Sequence, residues 1–289
     1  MLLWTFGVPC SAYQLPPRLR PLGCLAKPRL GVRCFQPFPL ARILRFPAKA
    51  VSLSTSMKIP RVLLFAFLVI APTLVTGEEG FALLFNGRDL TGWVNVNCAS
   101  DTWSVRDGVI ACTGEPTGAL RTMRQYENFI FEVEWRHLKP AGNAGIFVWA
   151  SPEAAAGVPF LRSIEVQVLD HGYGNTESHT THGDIFPIHG AKMVPLGRSK
   201  GDRAFPSEER SRPSPEWNYY RIEANDGNIR LHVNGKEVTS GEKCVWRKGY
   251  LGLESEGSPT EWRNLRLKEL PSTGATTEES APEPAPPKP

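Results

Sequence analysis

Residues 1–77 contain no aspartate or glutamate, although they hold ten Lys/Arg. The remainder carries 23 basic against 29 acidic residues, a net charge of −6, so the whole-chain value of +4 misdescribes the part that folds. A basic surface for nucleic acid is thereby set aside. Apolar residues at helical spacing are nearly missing after Phe81, which argues against a helical bundle or a helix-covered parallel sheet. No serine-nucleophile elbow, phosphate loop or dinucleotide fingerprint occurs. No cysteine pair has the C-x-x-C spacing of a metal knuckle. Only Cys98, Cys112 and Cys244 follow the acid-free segment, an odd number that permits at most one internal disulfide.

Long apolar runs are also scarce. Val62 to Ala71 follows Met57, Lys58 and Arg61 and precedes Val75-Thr76-Gly77. A charged start, an apolar centre and small residues at −3 and −1 make a secretory signal over residues 57–77. The run is short for a membrane span and soon meets Glu78-Glu79, so no stable span is expected once the signal is cleaved, although a signal anchor is the alternative. The protein is thus expected to be exported, to a periplasm or to the exterior. Residues 1–56 read as an upstream leader added by a mistaken start codon, with a transit peptide as the other reading. Residues 271–289 are rich in Pro, Glu and Thr and are expected to be disordered.

What remains, residues 78–270, is a series of short alternating runs separated by turns. Asn86-Gly87, Asp107-Gly108, Asp226-Gly227 and Asn234-Gly235 are dipeptides that accept the positive φ of tight hairpins. In Phe129 to Arg136, Phe129, Phe131, Val133 and Trp135 share one face and Glu132, Glu134 and Arg136 the other. That is the period of a half-buried antiparallel strand. About ten such runs predict an all-β domain, a two-sheet antiparallel jelly-roll sandwich of concanavalin or laminin-G type. The stretch from His171 to Pro215 breaks the alternation, and a connection of that length inside a compact domain is commonly functional.

Three groups of residues have the chemistry for a site. In Ile164-Glu165-Val166-Gln167-Val168, the aliphatic residues face one way, leaving Glu165 and Gln167 about 7 Å apart on the other face. An acid and an amide there can grip sugar hydroxyls or move a proton; a solvated strand face would look the same. Within 19 residues lie His171, His179, His182 and His189, beside Asp170 and Asp184. Such a loop offers acid, base or metal ligands, or simply polar surface. Trp149 would face outward with Phe147 if Ile146 and Val148 face the core, giving an indole platform for a pyranose. Core burial of Trp149 is equally compatible. Glu254, in the turn-rich Glu254-Ser255-Glu256-Gly257, adds a carboxylate at a sheet edge.

The order of these pieces is distinctive. Leu84-Phe85-Asn86-Gly87-Arg88-Asp89-Leu90-Thr91-Gly92-Trp93 is followed by Trp103-Ser104-Val105-Arg106-Asp107-Gly108, Gly142-Asn143-Ala144-Gly145, Glu165-Val166-Gln167-Val168-Leu169-Asp170, Pro215-Glu216-Trp217-Asn218 and Gly249-Tyr250-Leu251-Gly252-Leu253-Glu254. The series resembles the 3-keto-disaccharide hydrolase domain family over about residues 80–270. The resemblance implies a concanavalin-like jelly roll, exported in bacteria, that acts on 3-keto glycosides. Asn143-Ala144-Gly145 stands where Asn-Ser-Gly is commoner.

Chemistry gives the expectation content. A ketone at C3 acidifies the C2 proton; removing it gives an enolate that expels the C1 substituent, and water then adds. The route needs a base, an acid and a donor or cation for the C3 oxygen. The expected catalytic set is Glu165, His182 and Asp184, with Glu165 or His182 as base and Asp184 orienting the histidine. Asn143, Trp149, Gln167 and Glu254 would hold the sugar. Asp170, His171 and His189 are the candidates for a divalent metal ion or for holding the oxyanion. The competing expectation is a non-catalytic glycan-binding jelly roll.

Overall fold

The computed structural model describes residues 80–284. The expected leader (1–56) and signal segment (57–77) lie outside the described residues. Seventeen strands follow one another: β1 Ala82–Leu83, β2 Trp93–Val96, β3 Trp103–Arg106, β4 Val109–Cys112, β5 Gly118–Thr122, β6 Phe129–His137, β7 Gly145–Ala150, β8 Ser163–Gln167, β9 Ile185–Ile188, β10 Lys192–Leu196, β11 Ser199–Lys200, β12 Arg203–Ala204, β13 Asn218–Asn225, β14 Asn228–Val233, β15 Lys236–Val245, β16 Tyr250–Ser255 and β17 Thr260–Glu269. The only helical turn among the described residues is His171–Tyr173. None of their helices is long and apolar enough to cross a membrane.

The strands form two antiparallel sheets, the jelly-roll sandwich expected from the alternation. One has the order β10-β15-β14-β13-β6-β17-β4-β3, with β1 added beside β17; the other runs β11-β12-β9-β8-β7-β16-β5-β2. The alternating residues of β6 behave as their period requires: Phe129, Phe131, Val133 and Trp135 are buried in the core between the sheets. Ile146, Val148, Ile164, Val166, Leu251 and Leu253 meet them from the second sheet. Asp107-Gly108, Asp226-Gly227 and Asn234-Gly235 all have two positive φ values, as tight hairpins demand. Asn86-Gly87 does not make a hairpin. The Asn86 side chain instead accepts from the Arg88 and Asp89 amides and donates to Asp89.

Two expectations change. The stretch 171–215 is not wholly irregular, since β9 to β12 lie within it. These strands are two to five residues long and carry Pro187 and Pro195, too short and interrupted to show a period. Residues 271–284, expected to be disordered, pack along the domain. Asn128 donates to the Pro271 carbonyl, the Thr273 and Ala275 amides donate to Glu127, Arg247 pairs with Glu279, and Ala281 is buried. Composition understated this stretch because polar and charged partners on the domain, rather than apolar burial, hold it. Cys98, Cys112 and Cys244 are free thiols.

Candidate active site

The middle of the second sheet places β8, β7 and β16 side by side. Because Val166 and Ile146 point into the core, Glu165, Gln167 and Gly145 occupy the opposite face, where Gly145 pairs with Gln167 and Phe147 with Glu165. Leu253 pairs with Ile146 on the other side, which brings Glu254 level with Gly145. Two acids thus flank a glycine. A Cβ at Gly145 would lie 2.9 Å from an oxygen of Glu165 and 2.9 Å from one of Glu254. The missing side chain is what lets both carboxyls lean over the central strand.

Glu256, just beyond β16, is the third acid. The Asn143 amide donates to its carboxylate at 2.5 Å. Together with Gln167, Phe160, Phe186, Ile188 and His189, these residues line a cleft of about 200 Å³. That is smaller than the roughly 300 Å³ at which drug-sized sites begin, a scale that suits one sugar ring.

Electrostatics set this cleft apart. Burial raises the Glu165 pKa to about 8, helped by the charge of Glu256 and opposed by Arg203. Burial, with the charges of Glu165 and Glu256, pushes Glu254 well above the ordinary carboxylate range. Burial raises Glu256 as well, although its contact with Glu254 works the other way. Three acids that cannot all ionise at pH 7 leave a carboxylic acid beside a carboxylate, the combination that general acid–base chemistry uses.

A chain of side chains fixes the far wall. Arg203 stacks on Phe186 at 3.6 Å, donates to Gln167 at 2.6 Å and pairs with Asp184 at 2.7 Å. Gln167 donates on to Asn143 at 3.0 Å, and Asn143 to Glu256. Asp184, fully buried, also accepts from the Thr180 amide and hydroxyl.

The sequence-derived residues divide accordingly. Glu165, Gln167, Asn143 and Glu254 converge on the cleft. His189 joins only its rim, stacked on Phe160 at 5.6 Å. Trp149 does not: its φ of 53° and the register shift between β16 and β7 break the alternation, sending the indole into the core, where it donates to the Glu127 carbonyl. Asp184 lies behind the wall and orients Arg203 rather than a histidine. His182 is absent from the cleft lining and has no hydrogen bond to Asp184; residues 182 and 183 both take positive φ, and the imidazole stacks on His171 instead. Asp170 is no free ligand. Burial would raise its pKa, but the amides of Ser214, Gly172 and Ala141 outweigh that and lower it, so the carboxylate is a structural acceptor. His171 and His189 do not meet: His171 bonds to Ser211 and Glu209. Ala144 points into the core, so the hydroxyl it lacks is lost from the interior and not from the cleft.

Sequence reasoning missed Glu256 and Arg203. Glu256 had a signal, since its spacing of two from Glu254 puts both on one side of an extended chain. Arg203 had none, because β12 is only two residues long. A larger cleft of about 410 Å³ lies on the first sheet, but its acids Glu115 and Glu261 are exposed or paired with Arg136.

The family model for the 3-keto-alpha-glucoside-1,2-lyase-like domain matches residues 80–268. The chain belongs to this family. The match runs from just before β1 to the last residue but one of β17 and so contains every cleft residue. A presumed glycosyl hydrolase from Parabacteroides distasonis is similar in structure at a TM-score of 0.52 and 24% identity, covering 67% of this chain and 95% of that one. That likeness shows the shared fold. The carbohydrate-binding module CBM66 from Bacillus subtilis (TM-score 0.46, 12% identity, 62% of this chain and 96% of that one) and a Bacillus licheniformis beta-glucanase (0.41, 14%, 68% and 100%) are more distant. No curated protein matches the chain in sequence.

Proposed function

We propose that this family member cleaves 3-keto glycosides in the Glu165 cleft by elimination across C1 and C2, with hydration to follow. The observation that carries the reading is the group of three acids, the buried Glu165 and Glu254 and the half-buried Glu256, that line a cleft sized for one sugar ring. Glu165 takes the C2 proton; the C2–H pair becomes the C2=C3 bond of an enolate. The enolate collapses to C1=C2 as the C1–O bond breaks, and Glu254 gives its proton to the departing oxygen. Water then adds at C1 while the proton returns to C2. Arg203, whose field Glu165 feels, supplies positive charge for the enolate oxygen. A base with a pKa of about 8 is stronger than an ordinary carboxylate, which is what carbon acids need.

The test is aglycone release from a 3-keto glucoside, with deuterium exchange at C2 followed by NMR. Glu165→Gln should lower both by about 10²–10⁴-fold, whereas Glu254→Gln should suppress release more than exchange. Full release by both variants would defeat the assignment. Binding of the sugar by wild-type protein with neither exchange nor release would make the domain a glycan-binding module. Export rests on residues 57–77, and an N-terminus of the mature protein upstream of Met57 would count against it.

A further inference from the structure

His182 is 1% exposed, and neither of its ring nitrogens has a hydrogen-bond partner. A buried imidazole without a partner destabilises the fold unless something else binds it. Its surroundings supply a reason. The His171 ring stacks against it at 5.1 Å between centroids, and the Glu209 carboxylate lies 3.2 Å from His171 Nε2. One ligand atom from each of His171, His182 and Glu209 falls within 4.8 Å of the others. The other two histidines of the loop are engaged elsewhere, His179 bonding to Thr176 and to the Gly174 carbonyl and His189 stacking on Phe160.

We propose that His171, His182 and Glu209 form a binding site for a divalent transition-metal ion of the zinc class. Two imidazoles and one carboxylate suit zinc, cobalt or nickel; calcium and magnesium prefer all-oxygen sets. The fixed partner is the buried His182. His171 and Glu209 have side chains 30% and 52% exposed and can rotate inward by the ångström or so that ligand spacing requires. Their exposure leaves a position for water. The Asp170 carboxylate, held by three backbone amides, starts the turn that carries His171 and so presets one ligand.

The site ties together two segments that no regular strand pairing joins at these residues, the 171–184 loop and the stretch around Glu209. It also reaches the cleft through the backbone. The Gly183 amide donates to the Gln167 carbonyl, the Gln167 amide donates to the Asp184 carbonyl, and the Asp184 side chain holds Arg203. An ion on His182 therefore pins the segment that sets the cleft wall. It is a positioning site, independent of which sugar the cleft takes.

The experiment is titration of the chelator-treated full chain with Co²⁺, read by its visible absorption, and with Zn²⁺, read by calorimetry and melting temperature. Mg²⁺ and Ca²⁺ serve as controls. One Co²⁺ per chain and a Zn²⁺-dependent rise in melting temperature are expected. Glu209→Gln and His171→Ala should weaken binding by more than the about 10–100-fold that losing a mere outer partner costs. His182→Leu should abolish binding while melting, without metal, no lower than wild type, because it replaces an unpartnered polar ring by an apolar side chain. Absence of stoichiometric Co²⁺ or Zn²⁺ binding would overturn the proposal. So would binding that survives in Glu209→Gln and His182→Leu, or that disappears in Glu165→Gln, since the ion would then sit elsewhere.

Discussion

Replacing Glu165 by Gln should make the domain more stable at pH 8 and leave it unchanged at pH 4. In an unfolded chain this carboxyl ionises near 4.5, and in the folded protein at about 8. Between those values the folded state holds a proton that the unfolded state has lost. Stability from this group is therefore intact below 4.5, falls as pH rises through the window, and levels off above about 8. Each pH unit across the window removes up to ~1.4 kcal/mol. Glutamine has nearly the same shape and no charge to bury, so the variant avoids the loss. An advantage of about 2–4 kcal/mol at pH 8 is expected, with none at pH 4. Urea denaturation at several pH values measures it, and the slope of the difference against pH is more telling than any single value. A variant no more stable than wild type at pH 8 would refute the idea that the site is held together against its own electrostatics. The same change should lower turnover by about 10²–10⁴-fold, so the two effects together separate a functional acid from a structural one.

Other outcomes follow from the same geometry. Wild-type kcat/KM on a 3-keto glycoside should rise with pH toward about 8 as Glu165 ionises, and a pH–rate profile should lose that limb in Glu165→Gln. Gly145→Ala should push the flanking carboxyls apart, cutting activity sharply while costing about 1–3 kcal/mol of stability, which activity assays and chemical denaturation will resolve. Arg203→Met should free Gln167 and leave Asp184 buried with its charge unpaired, lowering both activity and melting temperature, whereas Arg203→Lys should restore the melting temperature more than the activity. Removing residues 271–289 should lower the melting temperature by a few degrees, roughly 1 kcal/mol in a domain of this size, and leave the kinetics of cleavage unchanged.

Strand parity was the legible part of this protein. Glu165 and Gln167 could be assigned to one face because Ile164, Val166 and Val168 demanded the other, and three of the four hairpin dipeptides announced their own φ values, Asn86-Gly87 being the exception. Parity fails wherever one residue takes a left-handed conformation. Trp149 does so in mid-sheet, and a purely alternating reading then puts the largest side chain of the strand on the wrong side. The histidine loop was opaque for a related reason. The positive φ at His182, His189 and two intervening or adjoining glycines, 183 and 190, decides where each ring points, and nothing in the order of residue types encodes it. Arg203 was invisible because its role depends on three partners brought from β8, β9 and the loop before β9. Glu256 was within reach and was overlooked in favour of its neighbour two residues earlier.

The bare Cα at position 145 has a bearing on relatives of this domain. A sandwich of this kind can keep its walls, its amide pair and its arginine, yet lose the closeness of its acids to a single methyl group. Position 145 is thus a sorting criterion: chains with glycine there retain room for opposed carboxyls and are candidates for chemistry, while chains with alanine or anything larger keep a vessel that can hold a sugar without breaking it.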